Sequence, residues 1–129
     1  MITKLLCIDD DETTLLLIRM VVEKARFAKE IKTCKSAQEA LGYYQNILAE
    51  QSTEAPQLIF LDLNMPVMSG WDFLDEFIST YYPKFNQTQI VILSSSTNIE
   101  DRNKARQYPA IIGYIPKPIT ADLLKKLVK

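Results

Sequence analysis

Acidic, hydroxyl and ammonium side chains stand directly after apolar runs in this 129-residue chain. Asp9-Asp10-Asp11-Glu12 follows the run 5–8, Asp62 follows 58–61, Ser94-Ser95-Ser96 follows 90–93, and Lys117, between Pro116 and Pro118, follows 111–115. Carboxylates brought to one point repel each other, so they need a cation or must take up protons. The ligands on offer are hard oxygens, with no histidine in the chain and no apt cysteine, which favours Mg²⁺ over zinc or copper. Mg²⁺ takes few protein ligands and keeps several waters, which leaves room for a phosphoryl oxygen. An aspartate beside Mg²⁺, a lysine and a hydroxyl is suited to phosphoryl transfer. The carboxylate is then the nucleophile and forms an aspartyl-phosphate, while the metal, lysine and hydroxyl meet the phosphoryl oxygens.

Each group also has a plainer reading. Asp11 and Glu12 stand where a helix begins and are read as caps that favour the helix dipole. Ser96 is read as a turn or cap residue. Lys104, Lys125, Lys126 and Lys129 are read as solvated charges, whereas Lys117 has its backbone fixed by a proline on each side. Trp71 and the aromatic residues after it are read as core.

The elements that would position these groups alternate along the chain. Continuous apolar runs at 5–8, 58–61, 90–93 and 111–115, with a weaker one at 30–34, predict strands buried on both faces, as in a parallel sheet covered by helices. Helices are expected at about 13–25, from Ser36, after Gly70, from Thr97 or Asn98 to before Pro109, and from Thr120. Ser36-Ala37-Gln38-Glu39 reads as a capping box, and Ala37, Ala40, Leu41, Tyr44 and Leu48 share one helical face. Phe73, Leu74, Phe77 and Ile78 are expected to face inward from the third helix, and Leu123, Leu124, Leu127 and Val128 from the fifth. Five strand-then-helix units imply an α/β fold with right-handed crossovers. In such a sheet ligands gather at the carboxyl ends of the strands, where the acids, serines and Lys117 stand. The fourth helix has only Ile99, Ala105 and Tyr108 as apolar residues; it reads as a solvated surface helix, or as one that docks loosely and shifts cheaply.

The length predicts one domain over residues 1–129. A net charge of −1 points to neither nucleic acid nor an anionic membrane as partner. Cys7 and Cys34 lie in strand-like runs and are expected as buried thiols. With no signal-peptide pattern and no apolar stretch long enough to span a bilayer, the expected location is the cytosol. The missing histidine excludes Ser-His-Asp triads, His-ligated zinc and histidine acid–base catalysis.

On these residues the chain resembles the receiver domain of two-component response regulators, of the single-domain chemotaxis-regulator kind. The motifs are Asp9-Asp10 after the first strand, Asp62-Leu63-Asn64-Met65-Pro66 with Gly70 following, Ser94-Ser95 closing the fourth strand, and Gly113-Tyr114-Ile115-Pro116-Lys117-Pro118 closing the fifth. They cover essentially the whole chain in order. The resemblance implies a flavodoxin-like, doubly wound parallel sheet with strand order 2-1-3-4-5. It implies Asp62 as phosphoacceptor, and Mg²⁺ held by Asp10, Asp62 and the Asn64 carbonyl, with Asp9 holding metal-bound water. Lys117 would pair with Asp62 and then with the phosphate. Ser94, followed by Ser95, stands at the hydroxyl switch, Tyr114 at the aromatic switch, and the Lys117–Pro118 bond would be cis. The phosphoryl donor would be a histidine kinase or histidine phosphotransfer protein. Phosphorylation would alter the face formed by the fourth helix, fifth strand and fifth helix, and so the affinity for a downstream protein. Neither nucleic acid nor membrane is an expected partner, and the chain would be a monomer or a weak phosphorylation-dependent dimer. It would not be an enzyme beyond its own phosphoryl transfer and slow autodephosphorylation, and, if Lys129 ends the full natural chain, its output is expected through protein contact. The chain departs from the common pattern in carrying Tyr108-Pro109-Ala110 before the fifth strand.

Three rivals predict different features. A flavin-binding module of the same topology would need a phosphate loop rich in hydroxyls and glycine where this chain has Asp9-Asp10-Asp11-Glu12. An aspartyl-phosphate hydrolase would need an acid/base aspartate where Asn64 stands. A degenerate receiver used as a scaffold would lack some of the site residues.

Overall fold

The computed structural model describes residues 2–52, 54–95 and 98–127. Five strands, β1 (Ile2–Ile8), β2 (Ala28–Cys34), β3 (Leu58–Leu61), β4 (Gln89–Ser94) and β5 (Ile111–Pro116), alternate with helices α1 (Glu12–Lys24), α2 (Ala37–Ala49), α3 (Gly70–Glu76), α4 (Ile99–Ala105) and α5 (Ala121–Leu127). The strands form one parallel sheet in the order β2-β1-β3-β4-β5. This is the flavodoxin-like α/β fold that the motifs implied.

The apolar runs 5–8, 58–61 and 90–93 reflect burial on both sides, whereas β5 and β2, at the sheet edges, bury only Ile115 and Cys34. Alternate residues of the central strands β1, β3 and β4 enter separate cores, as the pleat requires. Leu6, Ile8, Ile59, Leu61, Ile90 and Ile92 face Tyr44, Phe73 and Phe77 from α2 and the α3 segment. Leu5, Cys7, Leu58, Phe60, Val91 and Leu93 face Leu15, Ile18, Val22 and Leu124 from α1 and α5. Both thiols are buried and free, and burial pushes both well above the ordinary thiol range.

Strand and helix ends differ from expectation where local chemistry decides them. β1 and β2 start earlier, at Ile2 and Ala28, because the ladder pairs Ile2 with Ala28. Ser36 Oγ accepts the Glu39 N–H at 3.0 Å, but the Glu39 carboxylate takes the Lys35 N–H at 2.6 Å rather than that of Ser36. A reciprocal capping box instead opens α3, where Ser69 and Asp72 exchange side-chain bonds of 3.1 Å each way. α1 and α2 end with Arg26 (φ 52°) and Gln51 (φ 54°) in the left-handed region. There the Phe27 N–H reaches Val22 O and the Ser52 N–H reaches Ile47 O, each at 3.0 Å, closing Schellman caps without glycine. α3 runs on into a π-helical turn, Phe77–Tyr81, which carries Phe77 and Tyr81 into the core while Ile78 is only partly buried. In β5 Ile112 bulges, since Ile90 pairs with Ile111 and Val91 with Gly113. α5 begins at Ala121 and buries Leu124 fully and Leu123 and Leu127 in part. Ser96, Thr97, Val128 and Lys129 lie outside the described residues. Among the described residues no helix is long and apolar enough to cross a membrane.

Candidate functional site

β1 and β3 are neighbours, so their carboxyl ends deliver Asp9, Asp10 and Asp62 to one rim. The Asp62 N–H bonds Ile8 O at 3.0 Å and the Asp9 N–H bonds Cys34 O at 3.0 Å, which fixes both backbones to the sheet. Asp9 and Asp62 are buried, at 2% and 5% exposure, whereas Asp10 is exposed. Carboxylate oxygens of all three lie within 4.8 Å of one another. β5 brings Lys117 against them, with its backbone N–H on Ser94 O at 3.0 Å and a cis bond to Pro118. Its ammonium donates to Asp9 Oδ2 at 2.6 Å and lies 3.4 Å from Asp62 Oδ1. The expected pairing of Lys117 with Asp62 is therefore the longer of two, and Asp9 holds the nearer position.

Three carboxylates against one ammonium leave excess negative charge in a site half closed from water. Burial first, and the charge of Asp9 second, push the Asp62 carboxyl up to about 6, while Lys117 and the Asn64 N–H, at 3.4 Å, oppose the rise. Burial alone would lower the Lys117 ammonium, but its bonds and charge interactions with Asp9 and Asp62 outweigh that and hold it above the usual lysine range. The donor set fits a hard divalent cation, having only oxygens, an open side at Asp10, and a charge imbalance that such an ion would relieve.

Asp11 and Glu12 stay out of the cluster. Asp11 caps α1, accepting the Thr13 N–H at 3.0 Å and the Thr14 hydroxyl at 2.9 Å, and Glu12 pairs with Lys35. Ser94 is fully buried at the end of β4, in register with Pro116 of β5; Ser95 follows it, exposed. Asn64 is exposed on the loop after Asp62. Tyr114 lies away from the carboxylates, in register with Ile92. It packs partly against the core, with its hydroxyl buried and the Arg102 guanidinium 4.9 Å from its ring centroid.

The loop from Asp62 to α3 turns through Val67 (φ 68°), where the Met68 N–H meets Pro66 O at 2.7 Å, a γ-turn that leaves Val67 94% exposed. It closes at Gly70, whose N–H bonds Leu63 O at 2.9 Å. A Cβ at Gly70 would lie 2.3 Å from Asp62 O, so no larger residue fits there without moving the loop. In the sequence Gly70 stands out only as part of a motif, since a close backbone approach has no local signature. Trp71, expected in the core, is only partly buried, and its Nε1–H donates to Asp101 of α4 at 3.3 Å.

The family model for the response regulator receiver domain matches residues 5–129. Among curated relatives, regulatory protein VanRB of Enterococcus faecalis is 28% identical over 98% of this chain and 50% of its own length. The DNA-binding transcriptional regulator NtrC of Proteus hauseri is 27% identical over 95% of this chain and 23% of its own length. The chain thus spans half or less of either relative. Among solved structures, a two-component response regulator from Cytophaga hutchinsonii superposes with a TM-score of 0.90 at 30% identity, covering 98% of this chain and 93% of that one. The Vibrio cholerae chemotaxis protein CheY4 superposes with a TM-score of 0.76 at 25% identity, covering 99% and 97%. The match runs through β1, the Asp62 loop and the Lys117 turn alike, and the chain belongs to the family of response regulator receiver domains of two-component systems.

Proposed function

We propose that this receiver domain takes a phosphoryl group on Asp62 in a Mg²⁺-dependent reaction, and that the modification changes the face made by α4, β5 and α5 so as to alter partner binding. The observation that carries the proposal is the convergence of Asp9, Asp10 and Asp62 within 4.8 Å, with Lys117 reaching two of them. Asp10, Asp62 and the Asn64 carbonyl would hold Mg²⁺, with Asp9 holding its water; bound there, the ion would neutralise charge on the phosphoryl oxygens.

The donor is a phosphohistidine of a histidine kinase or phosphotransfer protein, because this chain has no histidine. A carboxylate oxygen of Asp62 forms the new bond to phosphorus as the phosphorus–nitrogen bond breaks, and the electron pair leaves on the imidazole, which takes up a proton. At neutral pH Asp62 is mostly ionised and able to attack, since its pKa lies at about 6. The Lys117 ammonium, already between two carboxylates, turns to the transferred group, and the Ser94 hydroxyl is drawn toward it. Phosphorylation places about two negative charges at the rim, and these contacts bias a pre-existing equilibrium between two states. Tyr114, on β5 beside the strand that ends in Ser94 and with the Arg102 guanidinium of α4 over its ring, moves with that change. The chain acts on no other substrate; it catalyses its own phosphorylation and slow dephosphorylation. Its place is the cytoplasm, its output is contact with a downstream protein rather than nucleic acid or membrane, and its state is a monomer or a weak phosphorylation-dependent dimer.

The test is incubation with acetyl phosphate, with and without Mg²⁺, followed by intact mass measurement. The wild type gains one phosphoryl group only with Mg²⁺, and Asp62→Asn gains none. Full labelling of Asp62→Asn refutes the assignment.

A further inference from the structure

α4 carries little into the core. Of its residues only Ala105 is buried, and Ile99 is 69% exposed. What ties it down is a set of polar and aromatic contacts, most of them on one ring. Trp71, the second residue of α3, donates from Nε1 to Asp101 at 3.3 Å. The Lys104 ammonium lies 4.6 Å from its ring centroid. Tyr108 stacks against it with centroids 5.9 Å apart, and donates its hydroxyl to Asp75 of α3 at 3.0 Å. Each contact is worth little singly at a half-exposed site, but together they replace the apolar face that α4 lacks.

The same tryptophan is coupled to the Asp62 loop. Gly70, its neighbour, donates to Leu63 O at 2.9 Å and packs so closely on the Asp62 carbonyl that even a methyl group would collide. A shift of the Asp62 backbone is therefore passed to the first turn of α3, where Trp71 sits. Contacts at the distance limit of a hydrogen bond, and cation–ring contacts at a wet surface, give way to a small displacement more readily than a packed core does.

We propose that Trp71 is a latch: it holds α4 in its resting position and links α4 to the Asp62 loop by a route separate from Ser94 and Tyr114. This rests on Asp62 being the phosphoacceptor. When the loop moves on phosphorylation, Trp71 leaves Asp101 and Lys104, and α4 is released. The latch thereby sets how often α4 opens in the unphosphorylated chain.

Trp71 is the only tryptophan of the chain, so its emission reports on the latch directly. The experiment compares the wild type, the double variant Asp101→Ala with Lys104→Ala, and Trp71→Phe, in Mg²⁺ with and without acetyl phosphate. Backbone hydrogen exchange and phosphoryl load are read on all three proteins, and tryptophan emission on the two that keep Trp71. Without donor, the double variant exchanges amides of 102–108 about tenfold faster than the wild type, the sum expected for one hydrogen bond and one cation–ring contact. Its β1 and β3 amides are unchanged and its emission is shifted. Trp71→Phe, which keeps a ring but loses the Nε1–H, gives a smaller acceleration. Labelled wild type shows the fast α4 exchange and shifted emission of the double variant. Equal α4 exchange in the unlabelled wild type and double variant overturns the latch. A fully labelled wild type whose α4 exchange and emission stay at resting values overturns the coupling. Absence of phosphoryl on Asp62 overturns the phosphoacceptor reading and the coupling with it, and the unlabelled comparison still decides whether Trp71 holds α4.

Discussion

Burial and the charge of Asp9 hold the Asp62 carboxyl at a pKa of about 6, against about 3.9 for an unfolded aspartate. The folded state thus binds this proton more tightly than the unfolded state. Its contribution to stability is fully present below the unfolded value and is lost as pH rises through about 6. In metal-free buffer the ionised carboxylate therefore costs on the order of 2 kcal/mol at neutral pH. Asp62→Asn removes that cost. Urea unfolding in EDTA at pH 4.5 and 7.5 is expected to show the variant gaining stability relative to wild type by about this amount between the two. A difference between the two proteins that does not change with pH would contradict the burial argument. The carboxylates and Lys117 were legible as a group because each directly follows an apolar run. That Lys117 sits closer to Asp9 than to Asp62 was not, because it depends on tenths of an ångström in three backbones.

At the scale of elements, two glycines give opposite tests of what a helix position demands. Gly42 lies within α2, and a Cβ added there would meet nothing within 4 Å. Gly42→Ala is expected to stabilise by about 0.5–1 kcal/mol through helix propensity. Gly70 opens α3 against the Asp62 carbonyl, with a Cβ distance of 2.3 Å. Gly70→Ala is expected to destabilise by about 2–3 kcal/mol, because backbone must move, and to lower Asp62 labelling at least tenfold. Denaturant midpoints and phosphoryl load check both, and a Gly70→Ala protein as stable and as readily labelled as wild type would remove the tight loop from the account. The central strands were readable because burial on both faces erases the polar positions. β2, at the sheet edge, buries only Cys34, its other residues being exposed or partly buried, and carried the weakest signal. The ends of α1 and α2 were hidden because Arg26 and Gln51 take left-handed positions usually marked by glycine. The hold on α4 was hidden because its partners, Trp71 and Asp101, are 30 residues apart.

Over the whole molecule, two cores grip one sheet from either side, and the chemistry sits on the rim where neither core reaches. That arrangement lets three acids share a site while the fold is stabilised elsewhere, and α4 adds only Ala105 to the buried residues. The alternation of strands and helices, and the rim where the candidate site residues gather, followed from hydrophobic runs and from what comes after them; the strand order followed from the resemblance to receiver domains, and the contacts joining the Asp62 loop, α3 and α4 needed coordinates. The central claim is that Asp62, among the three clustered aspartates, receives the phosphoryl group. Borohydride reduction of protein labelled with acetyl phosphate in Mg²⁺ converts an aspartyl-phosphate to homoserine, which peptide mass spectrometry locates. The account predicts homoserine at position 62 and aspartate unchanged at 9 and 10; homoserine at 9 or 10 with 62 unmodified would contradict it.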